Sequence, residues 1–252
     1  MCRRAGHWHA VIVVLAVFGG AAIVANKAHA AGAAYQVDTA EVSEPGACKV
    51  ESWVSFANNS SRDFITALSP SCVVSFFHPL ELSAQLSRAR SDDEWGTGVM
   101  PKVKANIIKS GIGTWGVAIA AAASYDLITK ENTAYSITIP ATLRLSNNAR
   151  INLNAAYQRD RVNARDFFAY GAGFDLRTSD NVWTLTGEVF GQIGAVVEDE
   201  RRSLVQPRWQ VGLRYRPVDE FNIDLIYGRN LTGENANWLT IATIIRFKPA
   251  EK

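Results

Sequence analysis

The chain has 252 residues, of which 48% are hydrophobic and 20% charged, and its formal net charge is +2. Three of the 26 basic residues and none of the 24 acidic residues lie in the first 30 positions, so the remainder carries a formal charge of −1. Such an even balance gives no sign of the strongly basic surface of a nucleic-acid-binding protein, and no nucleic-acid partner is expected.

The first predicted element is an export signal at residues 1–30. Arg3 and Arg4 form a positively charged start, an apolar run follows from 10 to 25, and Ala28-His29-Ala30 has small residues where a signal peptidase cleaves. We expect cleavage after Ala30. The alternative is an uncleaved helical anchor, which is disfavoured because the run is shorter than the roughly 20 residues that span a bilayer.

Alternation of apolar and polar residues then runs from position 48 to 247. It predicts twelve strands, at 48–57, 63–76, 80–90, 98–109, 114–126, 133–145, 150–160, 166–177, 181–193, 207–216, 221–230 and 237–247. Each provides about the 9 to 11 residues with which a tilted strand crosses the hydrocarbon layer, and some run beyond it. A sheet that crosses a membrane must be closed, because every backbone polar group has to be paired.

The span 207–216 illustrates the two faces of these strands. Its apolar face has Trp209, Val211, Leu213 and Tyr215, and its polar face has Arg208, Gln210, Gly212, Arg214 and Arg216. A soluble sandwich shows similar alternation, but Tyr and Trp also recur near strand ends, as at Trp115 and Trp238. Because such rings collect at membrane interfaces, this pattern favours a transmembrane barrel.

The predicted connections alternate in length along the chain. The tighter set is 77–79, 110–113, 146–149, 178–180 and 217–220, and the longer set is 91–97, 127–132, 161–165, 194–206 and 231–236. Outer-membrane barrels have short periplasmic turns and longer external loops. We therefore expect both termini in the periplasm, with 31–47 as a periplasmic N-terminal segment and 248–252 as a periplasmic tail.

Two cysteines follow the signal, and export delivers them to an oxidising compartment. With the first hairpin turn centred on Ser60, Cys48 lies directly opposite Cys72, within bridging distance. We expect a disulfide; two free thiols are the alternative, and no metal site is expected because two cysteines provide too few ligands. Pro70, inside the second strand, leaves open a ten-stranded barrel preceded by a disulfide-stapled segment.

The sequence does not favour an enzyme. His78 is the one histidine after the signal, and it lies in the 77–79 turn on the predicted periplasmic side. A Ser-His lipid hydrolase of the outer leaflet would need its base on the other side. Gly171-Ala172-Gly173 lies within a predicted strand, which favours packing over dinucleotide binding. We predict no catalytic residues, no cofactor and no metal ion.

Inward-facing polar positions are candidates for the lining of the lumen. They include Lys102, Lys104, Arg144, Asp175, Glu188, Arg208, Arg214 and Asp224. Mixed charges of this kind either pair across a narrow lumen and fill it, or form charged rings that select solutes. A barrel of 12 strands is intermediate between filled and open types, so both alternatives stay open.

The stretches 48–76, 80–85 (LELSAQ) and 233–247 (GENANWLTIATIIRF) resemble a family of small, mostly uncharacterised outer-membrane barrels of proteobacteria. They are more distantly similar to outer-membrane proteins assigned to uptake in phenol-degradation pathways. The last strand ends at Phe247, which resembles the C-terminal aromatic signal that the barrel-assembly machinery reads, although five residues follow it.

This resemblance implies an all-β, antiparallel up-and-down barrel at 48–247 in the bacterial outer membrane. Its expected partners are membrane lipid, the assembly machinery and a small-molecule solute. We predict a passive channel or porin-like uptake protein. The alternative is a structural or surface-interaction barrel with a plugged lumen.

Overall fold

The computed structural model describes residues 34–75, 77–194, 207–232 and 235–248. Its twelve strands are β1 (Cys48–Asn58), β2 (Phe64–Ser75), β3 (Pro79–Ser91), β4 (Glu94–Ile108), β5 (Trp115–Asp126), β6 (Glu131–Arg144), β7 (Ala149–Asp160), β8 (Arg165–Arg177), β9 (Trp183–Gly194), β10 (Arg208–Val218), β11 (Phe221–Asn230) and β12 (Asn237–Phe247). In these ranges no helix is long and apolar enough to cross a bilayer. The predicted signal at 1–30 lies outside the described residues.

The strands form one closed antiparallel barrel, in which sequence neighbours pair and β1 closes the ring against β12. The predicted fold class is therefore confirmed, and the ten-stranded alternative is wrong because β1 and β2 belong to the wall. Pro70 fits because the pairing between β2 and β3 skips residues 69 and 70. A missing backbone N–H is tolerated at such an interruption.

The first hairpin has the predicted register. Cys48 pairs with Cys72 and Phe56 pairs with Phe64, and the two cysteines form a disulfide. A turn centred on Ser60 sets this register, because it brings residues at equal distances from the turn opposite each other. The disulfide joins β1 to β2 at the end of the barrel where β1 begins and β12 ends.

The outer face of the barrel is apolar. Large side chains at the middle of the strands remain exposed, for example Ile139 at 50%, Leu225 at 52% and Ile241 at 45%. Aromatic pairs lie near both ends of the wall: Trp183 with Tyr215, and Trp209 with Tyr227, with ring centroids 4.7 and 5.8 Å apart. An apolar band between two aromatic girdles is the exterior of a transmembrane barrel.

The predicted loop at 91–97 is wrong. Instead of a connection over 91–97, β3 and β4 continue until Ser91 pairs with Glu94, and only Asp92 and Asp93 form the turn. Both aspartates have positive φ, 51° and 63°, which fits the two-residue turn of a twisted hairpin. Aspartate tolerates this conformation better than most residues. The predicted alternation of loop lengths fails here, and it fails again at 109–114, where six residues exceed the four of 127–130 and of 161–164.

Candidate functional site in the lumen

The chain reverses direction just before β1. The backbone N–H of Ala47 donates to the carbonyl of Glu44 at 3.1 Å, and Gly46 has a φ of 81°. Pro45 and Gly46 thus occupy the two central positions of a type II turn, which favours proline first and requires positive φ second. Two backbone hydrogen bonds to Val73 attach this turn to β2. The preceding residues are thereby directed into the barrel.

Residues 34–43, which we call the lumen segment, cross the interior twice. From the turn beside β1 the segment reaches Glu41, which contacts Arg144 and Arg150 on the opposite wall, at β6 and β7. It then returns at mid-height, contacting β4 and β9, until Tyr35 meets Asp224 on β11. Its described start, Ala34, packs in a cluster with Trp53, Ala67, Ile226 and Ala242.

This path differs from the expected periplasmic segment at 31–47. The difference arises because the segment binds through backbone groups and a few charges to strands far away in sequence, and such contacts leave no periodic pattern. Tyr35, Asp38 and Glu41 were therefore missed as site residues. The available signal was Glu44-Pro45-Gly46-Ala47, a turn-forming sequence immediately before the first strand.

Two carboxylates of the segment bind basic side chains of the wall. The Asp38 oxygens lie 2.6 Å from Lys102 Nζ and 2.9 Å from Lys104 Nζ, one oxygen for each lysine. The Glu41 carboxylate lies 2.6 Å from Arg144 and 2.7 Å from Arg150, again with one oxygen for each partner. Each acid therefore bridges two cations.

Backbone N–H groups of the segment also fix it to the wall. Glu188 accepts hydrogen bonds from the backbone N–H groups of Gln36 and Val37 at 3.0 and 3.3 Å, and Thr142 Oγ1 accepts that of Ala40 at 2.8 Å. A glycine in the wall gives Val37 its space, because a Cβ atom at Gly171 would lie only 2.8 Å from Val37 Cγ2. The small residues at 171–173 thus give space to this chain, in addition to packing within the sheet.

A buried network holds the end of the returning pass. Asp224, which is 1% exposed, accepts hydrogen bonds from Arg214 Nε at 2.7 Å, Asn222 Nδ2 at 2.8 Å and the Tyr35 hydroxyl at 3.1 Å. Burial raises the pKa of Tyr35, and the neighbouring Asp224 charge raises it further. The hydroxyl therefore stays protonated and remains a donor.

The segment divides the lumen into two cavities. The larger, about 680 Å³, lies toward the end with the Pro45-Gly46 turn, and the smaller, about 150 Å³, lies toward the other end; Gln36 and Asn154 line both. Of the candidate lining residues, the larger cavity is bordered by Lys102, Lys104, Arg144, Asp175, Glu188 and Arg214. Arg208 borders the smaller one, away from Arg214 and its partner Asp224.

The contact between Asp38 and the lysines should make docking of the segment acid-sensitive only at low pH. Burial raises the pKa of Asp38, but the charges of Lys104 and Lys102 outweigh burial and hold the pKa well below its usual range. A lowered pKa stabilises the docked form above the ordinary aspartate pKa, about 3.9, and that contribution is lost as the pH falls through the lowered value.

Hydrogen exchange at Ala40, whose amide donates to the non-titrating Thr142 hydroxyl, tests this expectation after correction for intrinsic rates. Protection should be constant from about pH 7 to about pH 4 and should decrease only below that range. The D38N variant should show weaker protection and a smaller acid-dependent step, because Glu41 still pairs with Arg144 and Arg150. Loss of protection in the wild type well above the carboxyl range would contradict the assignment.

The comparisons with known proteins agree with this architecture. A family model described as "Uncharacterised conserved protein UCP029691" matches residues 20–247. No curated protein sequence matches the chain significantly. Among solved structures, the KdgM porin is similar with a TM-score of 0.61 and 10% identity, over 79% of this chain and 99% of that chain.

Two further structures share the fold. The NanC porin has a TM-score of 0.58 and 10% identity, over 78% of this chain and 98% of that chain. The COG4313 outer membrane channel from Pseudomonas putida F1 has a TM-score of 0.59 and 12% identity, over 84% and 100%. At these identities the likeness concerns the barrel fold.

Proposed function

Because the chain belongs to the family described as Uncharacterised conserved protein UCP029691 and folds like porins, we propose that it is a passive outer-membrane channel for small solutes. The observation that carries the proposal is the charged cavity of about 680 Å³ inside an apolar exterior. A solute path needs polar walls, whereas a barrel with a purely structural role can fill its interior with packed side chains.

In this proposal the apolar band contacts outer-membrane lipid and both termini face the periplasm. The connection between β9 and β10 is longer in sequence than the other connections. It joins the strands at the barrel end opposite the start of β1 and the end of β12, as expected of an external loop. Phe247, 46% exposed at the end of β12, is the proposed recognition point for the assembly machinery. No step of this function requires catalysis or a cofactor.

The charged lining also bears on the kind of solute. Uptake of aromatic compounds, as in the phenol-degradation resemblance, would favour an apolar path, but the larger cavity is bordered by Lys49, Glu51, Glu81 and Arg246 besides the residues above. These side chains favour polar or ionic solutes.

A second candidate is a plugged barrel that acts without transport. It is favoured by the lumen segment, since Gln36 and its neighbours separate the two cavities. The two candidates differ in one respect, namely whether the segment leaves the path open for part of the time.

A reversible lock on the segment distinguishes them. The V37C/G173C variant should form a disulfide, because the two Cβ positions are 3.5 Å apart, within the usual range. In planar bilayers we expect conductance steps from the wild type, few or none from the oxidised variant, and recovery after reduction. The wild type with reductant and the single variant G173C serve as controls.

Silence of correctly folded wild-type protein would favour the plugged barrel. Equal conductance of the locked and unlocked forms would show that solutes bypass the segment.

A further inference from the structure

Four basic side chains converge on the lumen segment from one part of the wall. Lys102 and Lys104 extend from β4, Arg144 from β6 and Arg150 from β7. We infer that they form a binding site for a small organic dianion, such as a dicarboxylate, and that the carboxylates of the segment occupy this site in the structure. The inference rests on the proposed function and specifies its solute.

The geometry of the contacts supports two anionic groups rather than one. Asp38 uses both oxygens to bridge the two lysines, and Glu41 uses both oxygens to bridge the two arginines. Charge-assisted contacts of 2.6 to 2.9 Å are the stronger kind of hydrogen bond. A solute whose two carboxylates are spaced like those of Asp38 and Glu41 can make the same set of contacts.

The charge of the cavity supports an anion. The wall contributes seven basic residues to its lining: Lys49, Lys102, Lys104, Arg144, Arg150, Arg214 and Arg246. It contributes four acidic residues: Glu51, Glu81, Asp175 and Glu188. The segment adds two acids, Asp38 and Glu41, and the turn that follows it adds Glu44, so that the charges of the lining balance. Without the carboxylates of Asp38 and Glu41 the lining has an excess of positive charge, which attracts anions.

Burial makes this excess important. Lys104 is only 5% exposed, so its ammonium group has little access to water and needs an anionic partner. When the segment moves away, a solute anion is the natural replacement. The adjacent cavity of about 680 Å³ is within the usual size of small-molecule sites, roughly 300 to 1,000 Å³, and provides the space for it.

The site is tested by two variants, one that removes positive charges from the wall and one that removes negative charges from the lumen segment. In K102Q/K104Q the wall loses charge, so we expect the chloride-to-potassium permeability ratio, measured from reversal potentials in a KCl gradient, to fall about tenfold. In D38N/E41Q the internal competitor is weakened, so we expect the ratio to rise by a similar factor. Block of the current by succinate should follow the same order, and succinamide should not block.

The opposite signs separate a binding site from a structural contact. If the four pairs only hold the segment in place, both variants would loosen it and would change selectivity in the same direction, which would overturn the inference. The matched control is R159Q, because Arg159 pairs with Asp166 and both side chains are more than 40% exposed. It should leave the permeability ratio unchanged.

Calorimetric titration of the detergent-solubilised barrel with succinate separates this inference from the proposed function. Binding that strengthens about tenfold in D38N/E41Q and is lost in K102Q/K104Q would support the site even if no variant conducts. Conducting variants that bind succinate no more tightly than succinamide would keep the channel and refute the dianion site.

Discussion

Replacing Asp224 by alanine is expected to lower the free energy of unfolding by about 3 to 5 kcal/mol. The reason is that Arg214, whose side chain is 19% exposed, would keep its charge in the barrel interior without its carboxylate partner. Tyr35 and Asn222 would each lose an acceptor in the same variant. Urea unfolding from lipid vesicles, followed by tryptophan fluorescence, measures the change.

Two variants make this measurement specific. D166A removes the partner of Arg159 at an exposed position, where screening by solvent leaves little to lose, so its unfolding curve should overlay that of the wild type. R214M/D224A removes both charges and should recover most of the stability, because the unpaired charge is then absent. If D224A is as mild as D166A, the buried pair does not stabilise the barrel.

The second large effect is expected for Gly228→Ala. A Cβ atom at Gly228 would lie 2.2 Å from two ring carbons of Trp238, a buried side chain whose indole N–H donates to Gln210 at 3.3 Å. The ring is too rigid to give way locally, so overpacking should cost about 1 to 3 kcal/mol in the same unfolding assay.

Gly98→Ala is the matched control for this substitution. Gly98 also faces the lumen from a strand, but the nearest atom to its Cβ would be the Tyr125 carbonyl oxygen at 3.4 Å, an ordinary contact. Alanine there should be neutral or should stabilise by up to about 1 kcal/mol, because glycine weakens a strand. Equal losses in both variants would indicate a general intolerance of side chains rather than a clash with Trp238.

Most of the wall could be predicted from the sequence because each strand separates two different environments. Apolar side chains that face the exterior must therefore alternate with polar side chains that face the lumen. In β12 this alternation predicted the bounds that the structure has, Asn237–Phe247. The disulfide could be predicted from the same regularity, because residues at equal distances from the centre of a hairpin turn lie opposite each other. The turn at Asp92 and Asp93 was missed because the residues after it, 94–97, show no apolar alternation.

The candidate site was predictable only in part. The basic residues of the wall could be placed by their position in a strand, but their partners Asp38 and Glu41 lie in a segment without periodicity. No local rule relates Asp38 to Lys104, 66 residues away. Arg208 and Arg214 lie on the same face of β10 but border different cavities, because the lumen segment passes between them.

The closure of the ring between β1 and β12 has a consequence for assembly. Every other pairing joins strands that are neighbours in sequence. The second edge of β1 is paired only when β12 is added, with Cys48 opposite Phe247, the last residue of that final strand. An unpaired strand edge is prone to slip in register or to pair with a strand of another chain. The Cys48–Cys72 bond holds β1 to β2 from the beginning, so the first strand can keep its alignment throughout the interval in which the remaining ten are added.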